Sequence, residues 1–467
     1  MTITKAEVSW LLVESYRNDN HLATRFIDAN HSKLRFVVSW GKWLAWDGRR
    51  WQLDESEVRV MRLARQWVQS LWSEVAVLMP TLHKDDLTTI YSFVKSANKR
   101  AGVMNLISLG KSDERIAVHH DNLNRGRHLL NVHNGCLNLI TRNLEKHLPE
   151  RLITQLAPVT FDPSANCPRW EDAISLIFGG DVELIRFVRQ LLGYALHGDR
   201  GEHLLPVCYG SGANGKSFLW NTIVRLLGNY AGLANDSLLL GTRDSGHPTE
   251  KCFLYEKRFV PISEPEQNSK LREAKVKELT GDSTITARRM REDFWSFERT
   301  HLLWLSTNHL PKVSGSDEGI WRRIKLIPFC EDLRKVTKPI PDYDKLLADE
   351  EGSGILNWCL DGLADYLTNG LQEPSRVANA VDEYRNSEDE LTLFIEENCE
   401  VGVSCKVDSA DLFDAYQSWG GRLSRTAFGR SMGERFPRRR AVNIKRRKVT
   451  VYDGIELASD SETIGSL

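Results

Sequence analysis

The sequence has no C-x-x-C pair, no long apolar run, no internal repeat and almost no net charge. Its eight cysteines, Cys136, Cys167, Cys208, Cys252, Cys330, Cys359, Cys399 and Cys405, are scattered, with no Cys/His group close in sequence. That spacing excludes a zinc ribbon and a disulfide framework and predicts reduced, mostly buried thiols. No apolar stretch approaches the roughly 20 residues that a membrane span needs, so no membrane partner is expected. The opening "MTITKAEVSW" has neither the basic and then apolar regions of a secretory leader nor an Arg/Ser-rich transit character. It predicts a cytoplasmic protein. The formal net charge of −1 hides an asymmetry: from Arg422 to Lys448, eleven basic residues face one acid, Glu434. A polyanion contact is expected mainly at that end.

What is present is an ordinary globular composition, 41% hydrophobic and 27% charged, over 467 residues. A chain of that length divides into about two to four domains. Residues 1–150 mix amphipathic helix patterns such as "EVRVMRLARQWVQSLWSEVAVL" with aromatic strand-like pieces joined by the hairpin signal Asp47-Gly48. They predict an α+β module whose Trp and Tyr residues are core, since they sit in alternating strand patterns. The two prolines of "FDPSANCPRW" mark a boundary. A helical collar follows over 151–200, then an α/β core over 201–335 in which short apolar runs alternate with helices. A helix-rich region over 336–386, a compact basic domain over 387–457 and a polar, disordered tail over 458–467 complete the expected order.

The core opens with "HLLPVCYGSGANGKSFLWNTIVRLLGNY". Gly210, Gly215, Lys216 and Ser217 fit G-x-x-x-x-G-K-[ST], with an apolar strand candidate before and a helix closed by Gly228 after. Glycines let the backbone of Gly210, Ser211, Gly212, Ala213, Asn214 and Gly215 turn so that N–H groups and a helix N-terminus face phosphate oxygens. Lys216 is expected on the β/γ-phosphates and the Ser217 hydroxyl on Mg²⁺, which makes ATP and Mg²⁺ the expected cofactors.

Three further elements suit a nucleotide site. In "EKRFVPISEPEQ" a short apolar run ends at Glu264, with Glu266 beyond. Such a carboxylate can hold a hydrated metal and orient water, although Pro261 argues against a central strand and loop carboxylates are the plain alternative. "THLLWLSTNHLP" ends in Asn308, which is either an amide at the γ-phosphate or a turn residue. "SDEGIWRRIKLIPF" sets Arg322 and Arg323 at the start of another strand. They form either a surface salt-bridge face or a finger that reaches a neighbouring subunit. Between these, "LTGDSTITARRMREDFWSF" predicts a hairpin with a cationic end at Arg288, Arg289 and Arg291; it is either a solvated turn or a grip on a phosphate backbone.

The order "GSGANGKS", "VPISEPEQ", "KELTGDSTITARRMREDFWSF", "LLWLSTNHLP", "DEGIWRRIKLIPF" resembles the superfamily 3 helicase module of phage and plasmid primase-helicases, a group that includes the poxvirus primase-helicase. The flanks "LLNVHNGCLNLITRNLEKHLPERLITQLAPVTFDPSANCPRW" and "GILNWCLDGLADYLTNGLQEP" extend the resemblance to roughly residues 26–457. The resemblance implies an AAA+ type P-loop ATPase core, hexameric around DNA, moving 3′ to 5′ on one strand of single-stranded or forked DNA. It implies Lys216 and Ser217 as loop residues, Glu264 as metal-side acid, Asn308 as sensor, Arg322 or Arg323 as the finger acting in trans, and Arg288 to Arg291 as the channel hairpin. Length counted back from "IPF" favours Arg322. Unlike many relatives, the chain has too little room for a primase domain and no D-x-D pair on an apolar strand near its start. A separately encoded primase or polymerase is therefore an expected partner.

At the basic end, "ELTLFIEENC", "SADLFDAYQSWG" and "SRTAFGRSMGERF" predict three helices, the second starting near Ser409 and the third capped by Ser424. "RRRAVNIKRRKVTVYDGIEL" then predicts a two-stranded wing. This winged helix-turn-helix is either a protein-protein module or a duplex DNA binder, and its charge density favours DNA, with Arg425 and Arg430 on a recognition helix and Arg438, Arg439, Arg440, Lys445, Arg446, Arg447 and Lys448 on the wing, against origin duplex DNA. Three functions compete: a replicative helicase of a phage or other mobile element, a DNA-binding initiator whose ATPase cycle switches assembly without unwinding, and a P-loop kinase or packaging motor, with the paired arginines and the basic domain standing against a kinase.

Overall fold

The computed structural model describes residues 9–241, 248–263, 269–288, 293–313, 318–388, 390–442 and 448–458. The fold is mixed α/β with several buried clusters. Near the start, helix α1 (Asp19–Asn30) leads to strands β1 (Leu34–Val37), β2 (Lys42–Trp46) and β3 (Trp51–Leu53). Asp47 and Gly48 make the β2–β3 connection, where Asp47 Oδ1 accepts from the Arg49 and Arg50 amides at 2.8 Å and Gly48 adopts φ +98°. Helices α2 (Val58–Leu78), α3 (Lys84–Ala97) and α4 (Arg100–Gly110) share a buried cluster with Leu34, Trp43 and Ala45 of the sheet, and β4 (Ala117–Val118) adds to the sheet in the order β3-β2-β1-β4. Trp43 and Trp51 are fully buried, as the alternating pattern predicted.

The buried cluster of this unit runs from Trp10 to Ile116 and ends before β5 (Leu129–Val132), β6 (Gly135–Asn138) and β7 (Leu144–Glu145). Leu130, Val132, Leu137 and Leu139 instead share a cluster with α5 (Pro168–Ile177) and α6 (Val182–Leu196). Phe161, Cys167 and Trp170 lie in that same cluster, and Asn134 clamps Phe161 by two backbone bonds of 2.9 Å. The proline-bearing stretch that predicted a boundary is therefore packed into a core.

The central sheet is parallel, in the order β13-β8-β12-β9. Its strands are β8 (Leu205–Tyr209), β9 (Phe259–Ile262), β12 (Leu302–Thr307) and β13 (Ile324–Pro328). Every residue of β12, "LLWLST", is buried, the continuous apolar run expected of a strand covered on both faces. Pro261 is accommodated because β9 is the last strand, bonded to β12 on one side only, apart from isolated bridges to Ala231 and Ala234. Helix α7 (Lys216–Leu227) follows β8, and α8 (Glu273–Gly281) precedes the antiparallel hairpin β10 (Thr284–Arg288) and β11 (Phe294–Glu298). The short α9 (Glu318–Trp321) precedes β13.

Beyond the sheet lie α10 (Tyr343–Glu350), α11 (Gly352–Asn369) and α12 (Ser375–Glu388). Helices α6 and α11 cross closely through two glycines. A Cβ on Gly193 would lie 2.2 Å from the Leu363 nitrogen, and one on Gly362 would lie 2.0 Å from the Arg189 oxygen. Beside that crossing, Asp365 takes both arms of Arg186 at 2.7 Å, and the guanidinium holds its carboxyl well below the usual range. The last unit comprises α13 (Glu390–Asn398), β14 (Cys399–Asp408), α14 (Ser409–Trp419), α15 (Arg425–Arg435), β15 (Arg438–Val442) and β16 (Lys448–Leu457). Its sheet order is β14-β16-β15. The three helices fall within the stretches that predicted them: α14 begins at Ser409, with Asp408 as its cap, and α15 begins at Arg425, directly after Ser424. Strand β14 is an addition to the predicted two-stranded wing. Among the described residues, no helix is long and apolar enough to cross a membrane.

Candidate nucleotide-binding site

Strand register builds the site. Thr307 on β12 and Pro328 on β13 both lie opposite Tyr209 on β8, so three strand tips end level. Gly210, Asn308 and Phe329 therefore emerge side by side at the carboxyl edge of the sheet, where open α/β sheets bind ligands. The Gly210 amide donates to Thr307 O at 3.3 Å, and the Leu333 amide to Ala213 O at 3.1 Å, which pins the loop to β12 and to the segment that follows β13. Two positions require glycine. A Cβ on Gly210 would lie 2.3 Å from Asn214 Nδ2 and from Phe329 O; Gly215 adopts φ +87° with Ile177 Cγ1 2.5 Å from its missing Cβ. Gly215 caps α7 without a side chain, which leaves the first N–H groups of that helix to face the loop's concavity.

Lys216 is buried at 3% exposure. Its Nζ donates to Gly210 O at 2.5 Å, to Asn308 Oδ1 at 3.0 Å and to Asn214 Oδ1 at 3.1 Å. Asn214 in turn donates to Phe329 O at 3.0 Å. The loop lysine and the amide at the tip of β12, 92 residues apart, are thus in direct contact. Ser211 and Ser217 are exposed, and Ser217 lies on the wall of a cavity of about 490 Å³ shared with Gly212, Ala213 and Asn214. Glu264 and Glu266 lie outside the described residues.

The sequence did not signal the far wall of this cavity. Leu176 and Ile177 reach it from α5, and Leu333, Ile340 and Tyr343 from the segment after β13. Tyr343 stacks on Phe218 of α7, centroids 5.6 Å apart and planes 19° apart. The wall is apolar and aromatic, suited to a flat ring. Arg169, Arg334 and Lys338 line the same cavity. Arg169 is committed to Glu351 at 2.9 Å and Glu350 at 2.6 Å, and Arg334 pairs with Asp332 at 2.8 Å.

The paired arginines differ sharply. Arg323 is buried; its Nε donates to Thr280 Oγ1 at 3.2 Å and its Nη1 to Gly319 O. Arg322 is exposed. Both precede Ile324, which lies opposite Leu205 at the start of β8. Five strand residues, about 16 Å, therefore separate them from their own phosphate loop.

On the hairpin, Ile285, Ala287 and Phe297 face inward as the alternation predicted, and exposed Arg288 sits over the Phe294 ring at 5.3 Å. Arg289 and Arg291 lie outside the described residues. In the last unit, Arg425 pairs with Asp414 at 3.2 Å and lies over the Phe413 ring, while Arg439 pairs with Asp453 at 2.7 Å. Arg430 lies on α15. Lys445, Arg446 and Arg447 fall outside the described residues. Elsewhere, His119, His120 and Asp121 bring ligand-type atoms within 4.8 Å of one another, with Asp121 Oδ2 at 2.9 Å from His119 Nδ1 and Asp121 Oδ1 at 3.1 Å from His120 Nε2.

Residues 23–179 match the family described as D5 N terminal like, and residues 208–323 match a family of unknown function, DUF5906. A protein of Acanthamoeba polyphaga mimivirus with a provisional helicase name is 28% identical over 262 residues, 51% of this chain and 27% of the relative. A protein of African swine fever virus with a provisional primase name is 24% identical over 331 residues, 64% of this chain and 34% of the relative. The chain thus spans about a third or less of the length of these relatives. The apo form of the NrS-1 C-terminal region shares the fold at 10% identity, with a TM-score of 0.51 over 94% of this chain and 100% of that one. The chain therefore joins a D5 N-terminal-like region to a DUF5906 region and is homologous to viral proteins named for helicase or primase roles.

Proposed function

We propose that this chain is an ATP-driven DNA helicase: an AAA+ type core that assembles as a hexameric ring, moves 3′ to 5′ on one strand and carries a C-terminal winged helix for duplex DNA. The contact of Lys216 with Asn308 carries this reading. A buried basic group inside a glycine-lined loop, held by an amide at the tip of the neighbouring strand, is the arrangement that can couple γ-phosphate contact to a second element of the sheet. The donor set fits a nucleotide with Mg²⁺: amides of a loop that excludes Cβ atoms, Lys216, the Ser217 hydroxyl and an apolar wall for a base. Lys216 would neutralise phosphate charge and Ser217 would hold Mg²⁺, with Glu264, two residues past β9, as the metal-side acid. Bound Mg²⁺ supplies further charge neutralisation.

Asn308 would orient the attacking water through its amide once Lys216 turns to phosphate. Arg322 is the finger of this account, because it is exposed and about 16 Å of strand away from its own loop. It can serve only a neighbouring subunit's nucleotide, which is why the account requires a ring. Arg323 is the residue that fixes the turn. The hairpin with Arg288, Arg289 and Arg291 would grip the phosphate backbone of one strand. The helix-strand-helix-helix-strand-strand order of the last unit supports a winged helix with Arg425 and Arg430 on α15, and Arg439, Lys445, Arg446 and Arg447 on the wing.

The double variant Arg288→Ala, Arg289→Ala separates helicase from initiator. The proposal expects loss of unwinding with hydrolysis in the absence of DNA retained; unwinding at the wild-type rate would refute it.

A further inference from the structure

The β10–β11 hairpin is docked on the N-terminal unit. Its Trp295 packs edge-on against His120, centroids 5.2 Å apart, and against Trp40, 6.0 Å apart. Tyr255 closes the cluster at 5.1 Å from Trp295 and 5.5 Å from Trp40. His120 is 7% exposed and bridges the two units. Its Nδ1 pairs with Ser39 Oγ at 2.8 Å, and its Nε2 lies 3.1 Å from the backbone oxygen of Ser296 on β11. With the hydroxyl donating to Nδ1, the ring proton sits on Nε2 and points at Ser296 O, beside Asp121 Oδ1 at 3.1 Å. Next to this bridge, Arg127 joins the same strand to the body of the protein. Its Nη2 reaches Glu298 at 3.1 Å while its Nη1 holds buried Glu256 at 2.8 Å.

These contacts are specific and directional, and they end on the strand that returns from the hairpin tip. A ring cluster with a hydrogen bond at its centre fixes both the height and the twist of that strand. We propose that His120 is a positioning residue that, with Trp40 and Arg127, mounts the DNA-side hairpin on the N-terminal unit. DNA contact at the hairpin and hydrolysis at the loop are then coupled through this mount. The proposal rests on the helicase function given above and adds a role for the N-terminal unit in it.

The test compares wild type, His120→Ala, His120→Gln and Glu298→Gln in full-length protein. Two quantities are read: the stimulation of ATP hydrolysis by single-stranded DNA, and hydrogen exchange of peptides spanning 284–298. His120→Ala should lower the DNA stimulation by about fivefold or more while leaving kcat and KM without DNA within about twofold. Exchange should rise in the hairpin and stay unchanged in α7. The glutamine amide can still reach Ser296 O, so His120→Gln should restore most of the stimulation. Glu298 is 75% exposed, so its variant folds whatever the alanine variant does, and it should show the same effects at about half the size. Wild-type stimulation in His120→Ala and Glu298→Gln, or unchanged hairpin exchange, overturns the mount. A wild type that DNA does not stimulate defeats the helicase function instead, and exchange alone then judges the mount.

Discussion

Replacing Asn308 with alanine removes one acceptor from the Lys216 ammonium together with the side-chain amide at the tip of β12. The bond is 3.0 Å long and partly buried. A hydrogen bond to a charged group contributes about 1.5–3 kcal/mol, which corresponds to about 10- to 150-fold in rate if it acts in the transition state. If Asn308 orients the attacking water, the loss falls on kcat. Lys216 keeps Gly210 O and Asn214 Oδ1, so KM for ATP should move by less than about threefold. The assay is steady-state phosphate release with saturating single-stranded DNA, and Asn308→Asp serves as a second variant. An added carboxylate beside Lys216 would tighten its salt link and should also lower kcat. A kcat for Asn308→Ala within about twofold of wild type, or a loss confined to KM, would refute the role given to the amide.

Other consequences follow from burial and charge. Arg322→Ala should cost about 10³-fold or more in hydrolysis with an unchanged melting temperature, and mixing it with Lys216→Ala should restore part of the activity, since each supplies what the other lacks. Arg323→Ala should instead destabilise the fold by about 1–3 kcal/mol, because it strips partners from Thr280 and Gly319. Acid should destabilise the core through His301, whose Nε2 donates to Leu279 O at 3.1 Å. Burial and the nearby Arg299 and Arg200 push its pKa down to about 3, against about 6.5 in an unfolded chain. The unfolded state therefore binds the proton first, so this contribution is complete above pH 6.5 and is lost as pH falls toward 3. Between pH 7 and pH 5 it amounts to about 2 kcal/mol, and His197 and His203, lowered in the same direction, add to it. His301→Gln keeps the bond to Leu279 and should show a smaller fall in Tm over that range, measured by calorimetry.

The legible parts of this molecule are those where one short stretch dictates both geometry and chemistry. Gly210 and Gly215 could be read because their backbones approach Phe329 and Ile177 too closely for any side chain, and Lys216 and Ser217 because a helix must begin there. The contact of Asn308 with Lys216 was legible as a candidate only, since it depends on β12 lying beside β8, which no local pattern states. The aromatic wall of Ile177, Leu333 and Tyr343 left no signal because it gathers three remote segments without a motif. Strand β14 was missed for a different reason. "CEVGVSCKVD" exposes Val401 and Val403 and carries a bulge between Val401 and Lys406, so only Cys405 and Val407 beyond it mark a buried face, too short a run to read as a strand. The contrast between Arg322 and Arg323 could not be read at all, because adjacent residues at the start of a strand differ only in which way they point. His120 was passed over for a similar reason: its partners, Ser39 and Ser296, are 81 and 176 residues away.

In the proposed helicase, the loop at Gly210 to Ser217 powers strand separation. Strand displacement on forked DNA with ATP and Mg²⁺, offered with 3′ and 5′ tails, tests it with wild type beside Lys216→Ala. Wild type is expected to open the 3′-tailed fork, and Lys216→Ala neither. DNA-stimulated hydrolysis with no displacement on any tail, or displacement that survives in Lys216→Ala, would contradict it.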